Sequence, residues 1–195
     1  MSVKIYWFLR GLIYKPFLGS FGFLSYMGKP LIITNFKRIF IGNKVRIFPG
    51  ARIEVADKSA SIVFEDNISV GQNLHIISGC NQVLTIGKNT TLSANVFVTN
   101  IDHQYQDLDK HILYQPLLAL KTKIGENCFI GYGAAIQAGT ILGRQCVVGA
   151  NSVVRGTFPD YCVIVGAPAK IVKRYNPDSQ LWEKTNNKGK FLNEI

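Results

Sequence analysis

Large apolar residues recur at every sixth position along most of this chain. One run holds Ile41, Ile47 and Ile53, a second Phe64, Val70 and Ile76, and a third Ile86, Leu92 and Val98; the last is unbroken through Ile124, Ile130, Ile136, Leu142, Val148 and Val154. Four residues after these positions stand mostly small or apolar side chains, among them Val45, Ala51, Ile68, Cys80, Thr90, Ala134 and Ser152. Three residues after, Gly or Asn dominates: Gly50, Asn67, Asn73, Gly79, Asn89, Asn95, Asn127, Gly133, Gly139 and Asn151. Gly and Asn enter the left-handed backbone region at least cost, so this third position reads as a corner. The pattern therefore predicts a short strand and a tight corner every six residues, with two inward side chains per unit.

A six-residue side cannot bury its inward residues alone. Three sides closed into a triangle and stacked in parallel give a continuous core. The runs are multiples of eighteen residues, which predicts five coils over 41–58, 64–81, 86–103, 124–141 and 142–159. The expected fold class is all-β, a parallel β-helix over 41–173. An aromatic N-terminal segment over 1–40 precedes it, a short C-terminal tail over 174–195 follows, and one long excursion over 104–123 interrupts it. Cys128 and Cys146 fall on the same inward position of successive coils and read as small core residues rather than a bridge.

These repeats carry two further signatures. Asn100 to Tyr105 spells Asn-Ile-Asp-His-Gln-Tyr where the excursion leaves a coil, and the repeats end on Val165-Gly166-Ala167-Pro168-Ala169-Lys170. Together they resemble the hexapeptide-repeat acyltransferases over residues 41–173, especially the galactoside or maltose O-acetyltransferases and the O-acetyltransferases of O-antigen and capsule assembly. The resemblance implies a left-handed winding, against the usual crossover rule. It also implies acetyl-CoA as co-substrate without a metal, a saccharide acceptor that is free, nucleotide-linked or lipid-linked, and a cytoplasmic homotrimer with active sites between subunits. Nucleic acid is not among the implied partners.

By the same resemblance His103 is the general base that takes the proton of the acceptor hydroxyl as that oxygen attacks the thioester. A neutral imidazole suits the step, because His titrates close to neutrality. Asp102 either orients His103, as carboxylates orient other functional imidazoles, or points to solvent as the chain departs. His75 lies outward on a strand within reach of an acceptor, and Asn73 matches an acceptor-binding asparagine while also occupying a corner. His111 sits mid-excursion. A backbone N–H near Gly131 and Tyr132 is the implied donor to the oxyanion. Phe129 takes the place of an aromatic ring against pantetheine, and Ala150 that of a small residue beside it. Arg155, Lys170, Lys173 and Arg174 are the cations offered to the phosphates of CoA.

Composition adds charge and compartment. Lys and Arg number 22 against 12 Asp and Glu, a net +10 that favours anionic partners. The four cysteines show no C-x-x-C spacing, which fits a reducing cytosol and excludes a zinc knuckle. The N-terminal segment is rich in aromatics and basic residues. Its longest uncharged run, 16–28, is too short for a spanning helix of about 20 residues, and Tyr26 to Pro30 after it make a poor signal-peptide cleavage site. It is expected either to cap the solenoid or to lie loosely on the inner face of the cytoplasmic membrane. Rival readings are an N-acyltransferase acting on an amino sugar, a γ-type carbonic anhydrase using the three histidines for zinc, and a solenoid that only binds.

Overall fold

The computed structural model describes residues 3–192. The chain forms a three-sided parallel β-helix. Its first sheet climbs from Ser20–Phe21 through Ile39–Ile41, Ser61–Phe64, Val83–Ile86, Lys123–Ile124 and Ile141–Leu142 to Thr157–Phe158. The second climbs from Tyr26–Met27 to Cys162–Gly166, and the third from Ile32–Ile33 to Val153–Val154. Neighbouring coils pair in parallel register, for example Phe97 between His75 and Ala135.

All fifteen positions of the six-residue apolar series are buried, and their companions four residues on are buried too, except Asp57, Cys80 and Asp102, where a coil ends. The corners behave as the residue types demand. Nine of the ten Gly or Asn corner residues have positive φ; Gly79 does not, and Cys80 and Asn81 take that conformation instead. The unit ends early there, so Cys80 is half-exposed rather than inward. Lys44 and Gln145 adopt positive φ at the equivalent corners without being Gly or Asn, so the stacked coils impose the geometry on them.

The solenoid is longer than the expected 41–159 core. Phe21, Met27 and Ile33 continue the six-residue series backwards, and Ser20–Ile33 form a coil beneath the one that starts at Ile39. The extra residues of the 3-10 turn Phe36–Arg38 shift the series out of step, which hid this coil in the sequence. Phe158 and Ile164 extend it forwards. The expected tail is also structured: Ala169–Asn176 turns back antiparallel on Cys162–Gly166, and Leu181–Lys184 pairs with it in turn. The fold departs from all-β in one element, the helix Val3–Tyr14. Among the described residues no helix is long and apolar enough to cross a membrane.

Cys128, Cys146 and Cys162 stack on one corner of three successive coils, each Sγ within 4 Å of backbone carbonyls, and all are buried and free. Contact with the Cys146 sulfur, together with burial, pushes the Cys128 and Cys162 thiols up. Thiol reagents act on thiolates that solvent can reach. In the native protein a reagent such as dithionitrobenzoate is expected to label Cys80 alone, with the other three released only on unfolding. Rapid native labelling of a second cysteine, read by peptide mass, contradicts this packing.

The corners make a second measurable claim. A β-branched side chain in the left-handed region costs about 1–2 kcal/mol, while Gly adopts it freely. At Asn127, where φ is 57°, Asn127→Val is expected to lower unfolding stability by about that amount and Asn127→Gly to be nearly neutral. Denaturant titration reads the difference.

Candidate active site

The excursion does not leave the solenoid as a bare loop. Ile101–His103 and Leu117–Ala119 pair antiparallel, His103 opposite Leu117, so the imidazole is carried on a short ribbon that projects past the edge of the third sheet. The chain abandons the inward slot at Asn100, which is fully buried and bridges Gly79 N and Ser78 Oγ through its side chain. That buried amide anchors the base of the ribbon, and Asp102 therefore lies outward instead of filling an inward position.

A cavity of about 260 Å³ opens between the ribbon and the third sheet, lined by Ile77, Phe97, Thr99, Ile101, Asp102, His103, Gln137 and Ala138. Thr99 and Gln137 are outward residues on neighbouring coils. Arg155 follows on the next coil, its Nη1 3.6 Å from Asp102 Oδ2. The other Asp102 oxygen accepts from the His103 backbone amide at 2.9 Å. Asp102 thus holds the backbone at His103 and faces Arg155. Arg155 belongs to this cluster and stands apart from Lys170 and Lys173, which are exposed on the antiparallel C-terminal strand. Arg174 donates to Gly189 O and covers the Phe191 ring, so it works in packing.

Below the cavity the outer face of the third sheet carries a polar row in which Arg52 and Glu54 join His75, the one member singled out by the sequence. His75 Nε2 is 3.1 Å from Glu54 Oε1, and the same carboxylate is held by Arg52 Nε at 2.5 Å. The hydrogen bond from Arg52, and more weakly that from His75, keeps the Glu54 carboxyl below its usual range. The His75 ring meets Phe97, a cavity residue, edge-on at 5.1 Å. The available signal was register: Arg52 and His75 are strand partners one coil apart, and Glu54 is two residues along from Arg52 on the same face.

Asn73 is a corner residue in both its atoms. Its amide donates to Asn95 Oδ1 at 3.0 Å, and its carbonyl oxygen fills the space where a side chain at Gly50 would be. Both contacts serve the corner, and Asn73 remains exposed. His111 accepts from Leu113 N at 3.1 Å and caps a 3-10 turn. Among the described residues no three His, Cys, Asp or Glu side chains converge on a metal position.

Phe129, Gly131, Tyr132 and Ala150 lie elsewhere. They occupy the second sheet and the corner that leads into the third, whereas His103 stands at the corner by which the chain leaves the third sheet. None of the four lines the His103 cavity. The corner is tightly stacked: a Cβ on Gly131 would sit 2.6 Å from the Ala150 amide nitrogen. The Gly131 N–H donates to Val148 O at 2.8 Å and is not free for another acceptor. Phe129 and Tyr132 are about half exposed, and Ala150 is exposed beside them. One chain thus presents two candidate half-sites on two different corners.

Comparison with known proteins bears on what these halves belong to. A family profile described as the hexapeptide repeat of succinyl-transferase matches residues 121–155. WbbJ of Escherichia coli strain K12, named for O-acetyl transfer in lipopolysaccharide biosynthesis, is 35% identical over 162 residues, covering 80% of this chain and 81% of that one. The galactoside O-acetyltransferase of the same strain is 27% identical over 118 residues, covering 58% of this chain and 57% of that one. Among solved structures, AntD, an N-acyltransferase from Bacillus cereus with dTDP and 3-hydroxybutyryl-CoA bound, superposes with a TM-score of 0.73 at 18% identity, covering 87% of this chain and 90% of that one. Galactoside acetyltransferase in complex with coenzyme A superposes with a TM-score of 0.54 at 18% identity, covering 97% and 90%. The structural likenesses speak to the fold and the first relative to kinship: with its left-handed coils and its projecting histidine ribbon, the chain belongs to the hexapeptide-repeat acyltransferases.

Proposed function

We propose that this enzyme is an acetyl-CoA-dependent O-acetyltransferase acting on a sugar hydroxyl in surface polysaccharide assembly, with His103 as general base. The observation that carries the reading is the His103 ribbon facing a cavity on the outer face of the third sheet, into which Thr99, Asp102 and Gln137 bring polar groups among apolar walls. The acceptor lies along that face, with Phe97 and His75 beneath it, the latter held by Glu54 and Arg52. His103 takes the hydroxyl proton, the oxygen attacks the thioester carbonyl, and the C–S bond breaks to release CoA, whose sulfur is protonated in turn. The kinship with WbbJ favours a polysaccharide acceptor. The AntD likeness keeps transfer to an amino sugar as the second reading.

The half-sites become one site in a homotrimer of parallel solenoids. His103 and the 104–123 excursion of one chain then face Phe129, Tyr132 and Ala150 of the next, across a groove that takes pantetheine and shields the thioester from water. The Tyr132 amide serves the oxyanion, and Lys170 and Lys173 lie toward the phosphates. The trimer works at the inner face of the cytoplasmic membrane, touching it loosely through the N-terminal end.

His103→Ala is expected to lower turnover by ~10²–10⁴ with acetyl-CoA binding unchanged; release of free CoA against a panel of saccharide acceptors is the readout, and O- or N-linked product separates the two acceptor readings. Asp102→Asn should cost less than His103→Ala, because it acts only through backbone position and Arg155. A larger loss for Asp102→Asn reverses the roles.

The divided site can be tested genetically. His103→Ala chains and Ala150→Trp chains are each expected to be nearly inactive alone and to regain partial activity when co-assembled. Mixed trimers seen by native mass measurement without that gain, or a monomeric protein, refute the shared groove.

A further inference from the structure

The N-terminal end of the solenoid is built unlike a cap. The ends of a repeat stack normally present polar surface to water. Here the helix Val3–Tyr14 packs inward through Trp7, against Tyr26 at 6.0 Å and Phe48 at 5.3 Å, through Gly11 over Phe21, and through Tyr14 against Phe36. Its remaining apolar side chains face out, with Tyr6, Leu9, Leu12 and Ile13 all exposed, Ile13 at 65%. Phe23 at 72% and Leu31 at 70% add to them from the first coil. Covering the core therefore explains only one face of the helix.

Next to that face is a groove of about 730 Å³, larger than the His103 cavity. Ile13, Tyr14, Phe17 and Phe36 line it, and Lys37, Arg38 and Lys58 stand at its rim. Arg38 is bound to Ser59 O and Ala60 O, and Lys37 to Pro16 O, so two of the cations are fixed in place. Charge is segregated on the scale of the whole chain: nine of the 22 Lys and Arg residues, and none of the 12 Asp and Glu, precede Glu54. Two copies meeting by this end would set one uncompensated positive surface against another.

We propose that this end is a docking site for an anionic phospholipid bilayer, in which the groove seats one acyl chain while Lys37, Arg38 and Lys58 hold the phosphate of its headgroup. Apolar wedges with flanking cations are what an anionic interface retains. The proposal deepens the membrane-side location given above and has a geometric consequence. The coil that bears the His103 ribbon is the fourth, three spacings above the first, so docking by this end holds the base about 14 Å above the solenoid's foot at ~4.8 Å per coil. An acceptor glycan carried on a lipid would be read at that fixed height.

The experiment is vesicle flotation of the assembled full-length protein, with phosphatidylcholine alone and with phosphatidylglycerol added at three parts in ten. Binding is expected to the anionic vesicles only and to weaken with salt. Ile13→Glu/Phe17→Glu, at two exposed positions, is expected to abolish it, and Lys37→Gln/Lys58→Gln to weaken it roughly fivefold per charge. Both variants should keep the wild-type thermal midpoint and acetyl-CoA affinity. Wild-type protein that stays unbound at low salt overturns the proposal, as does an Ile13→Glu/Phe17→Glu variant that floats like wild type. Loss of the oligomer in that variant also overturns it, because the face is then an interface between copies. Calorimetry with acetyl-CoA on the same preparations keeps the two readings apart: flotation without CoA binding would sink the enzyme reading and leave this one standing.

Discussion

Strands of two to four residues cannot hold a sheet by themselves, and the whole molecule depends on how their corners are made. Each corner must turn the chain by a third of a circle within about two residues and then lie directly under the next coil's corner. A left-handed residue at the third position of each unit achieves this, and it recurs at nearly every corner from Leu24 to Tyr161. Asparagine serves best because its side chain also bonds along the stack, as Asn67 does to Asn89 and Asn73 to Asn95. With the corners in register, inward aliphatics meet their equivalents one coil away and the core runs unbroken along the axis.

Departures from the repeat make the candidate site. The coils are rigid and nearly uniform, so what varies is the outer face and the points where the chain leaves. At Thr99 the chain spends a buried asparagine, Asn100, to anchor a ribbon, and that ribbon lifts Asp102 and His103 into a cavity the coils alone would not form. A row of outward residues on successive coils then supplies polar groups at near-constant spacing, with Glu54 held as a carboxylate by Arg52 and His75. A solenoid positions such groups as a ruler does, since register fixes each relative to the next.

The two ends of the stack meet the same problem differently. The C-terminal end folds two antiparallel strands back over the second sheet, buries Ile171 and ties Arg174 to Gly189 O. The N-terminal end covers its last coil with one face of a helix and leaves the other apolar face outside. The apolar surface left outside at the N-terminal end exceeds what closing a core requires.

The six-residue period by itself determined the parallel β-helix, the inward residues and the corner positions, because each depends on a local rule repeated many times. It also located the excursion and the histidine at its start. Residue pattern could not give the first coil, since the turn at 36–38 breaks the phase while the pairing of Phe21 with Ile41 keeps it. Nor could it show that Asp102 bonds the His103 backbone and Arg155, that Glu54 and Arg52 hold His75, or that the Gly131 amide is already used. Those partners are 17 to 53 residues apart in sequence, or turn on a side-chain rotation. Only stacking in three dimensions sets which outward residue stands above which, and so which groups are free to act.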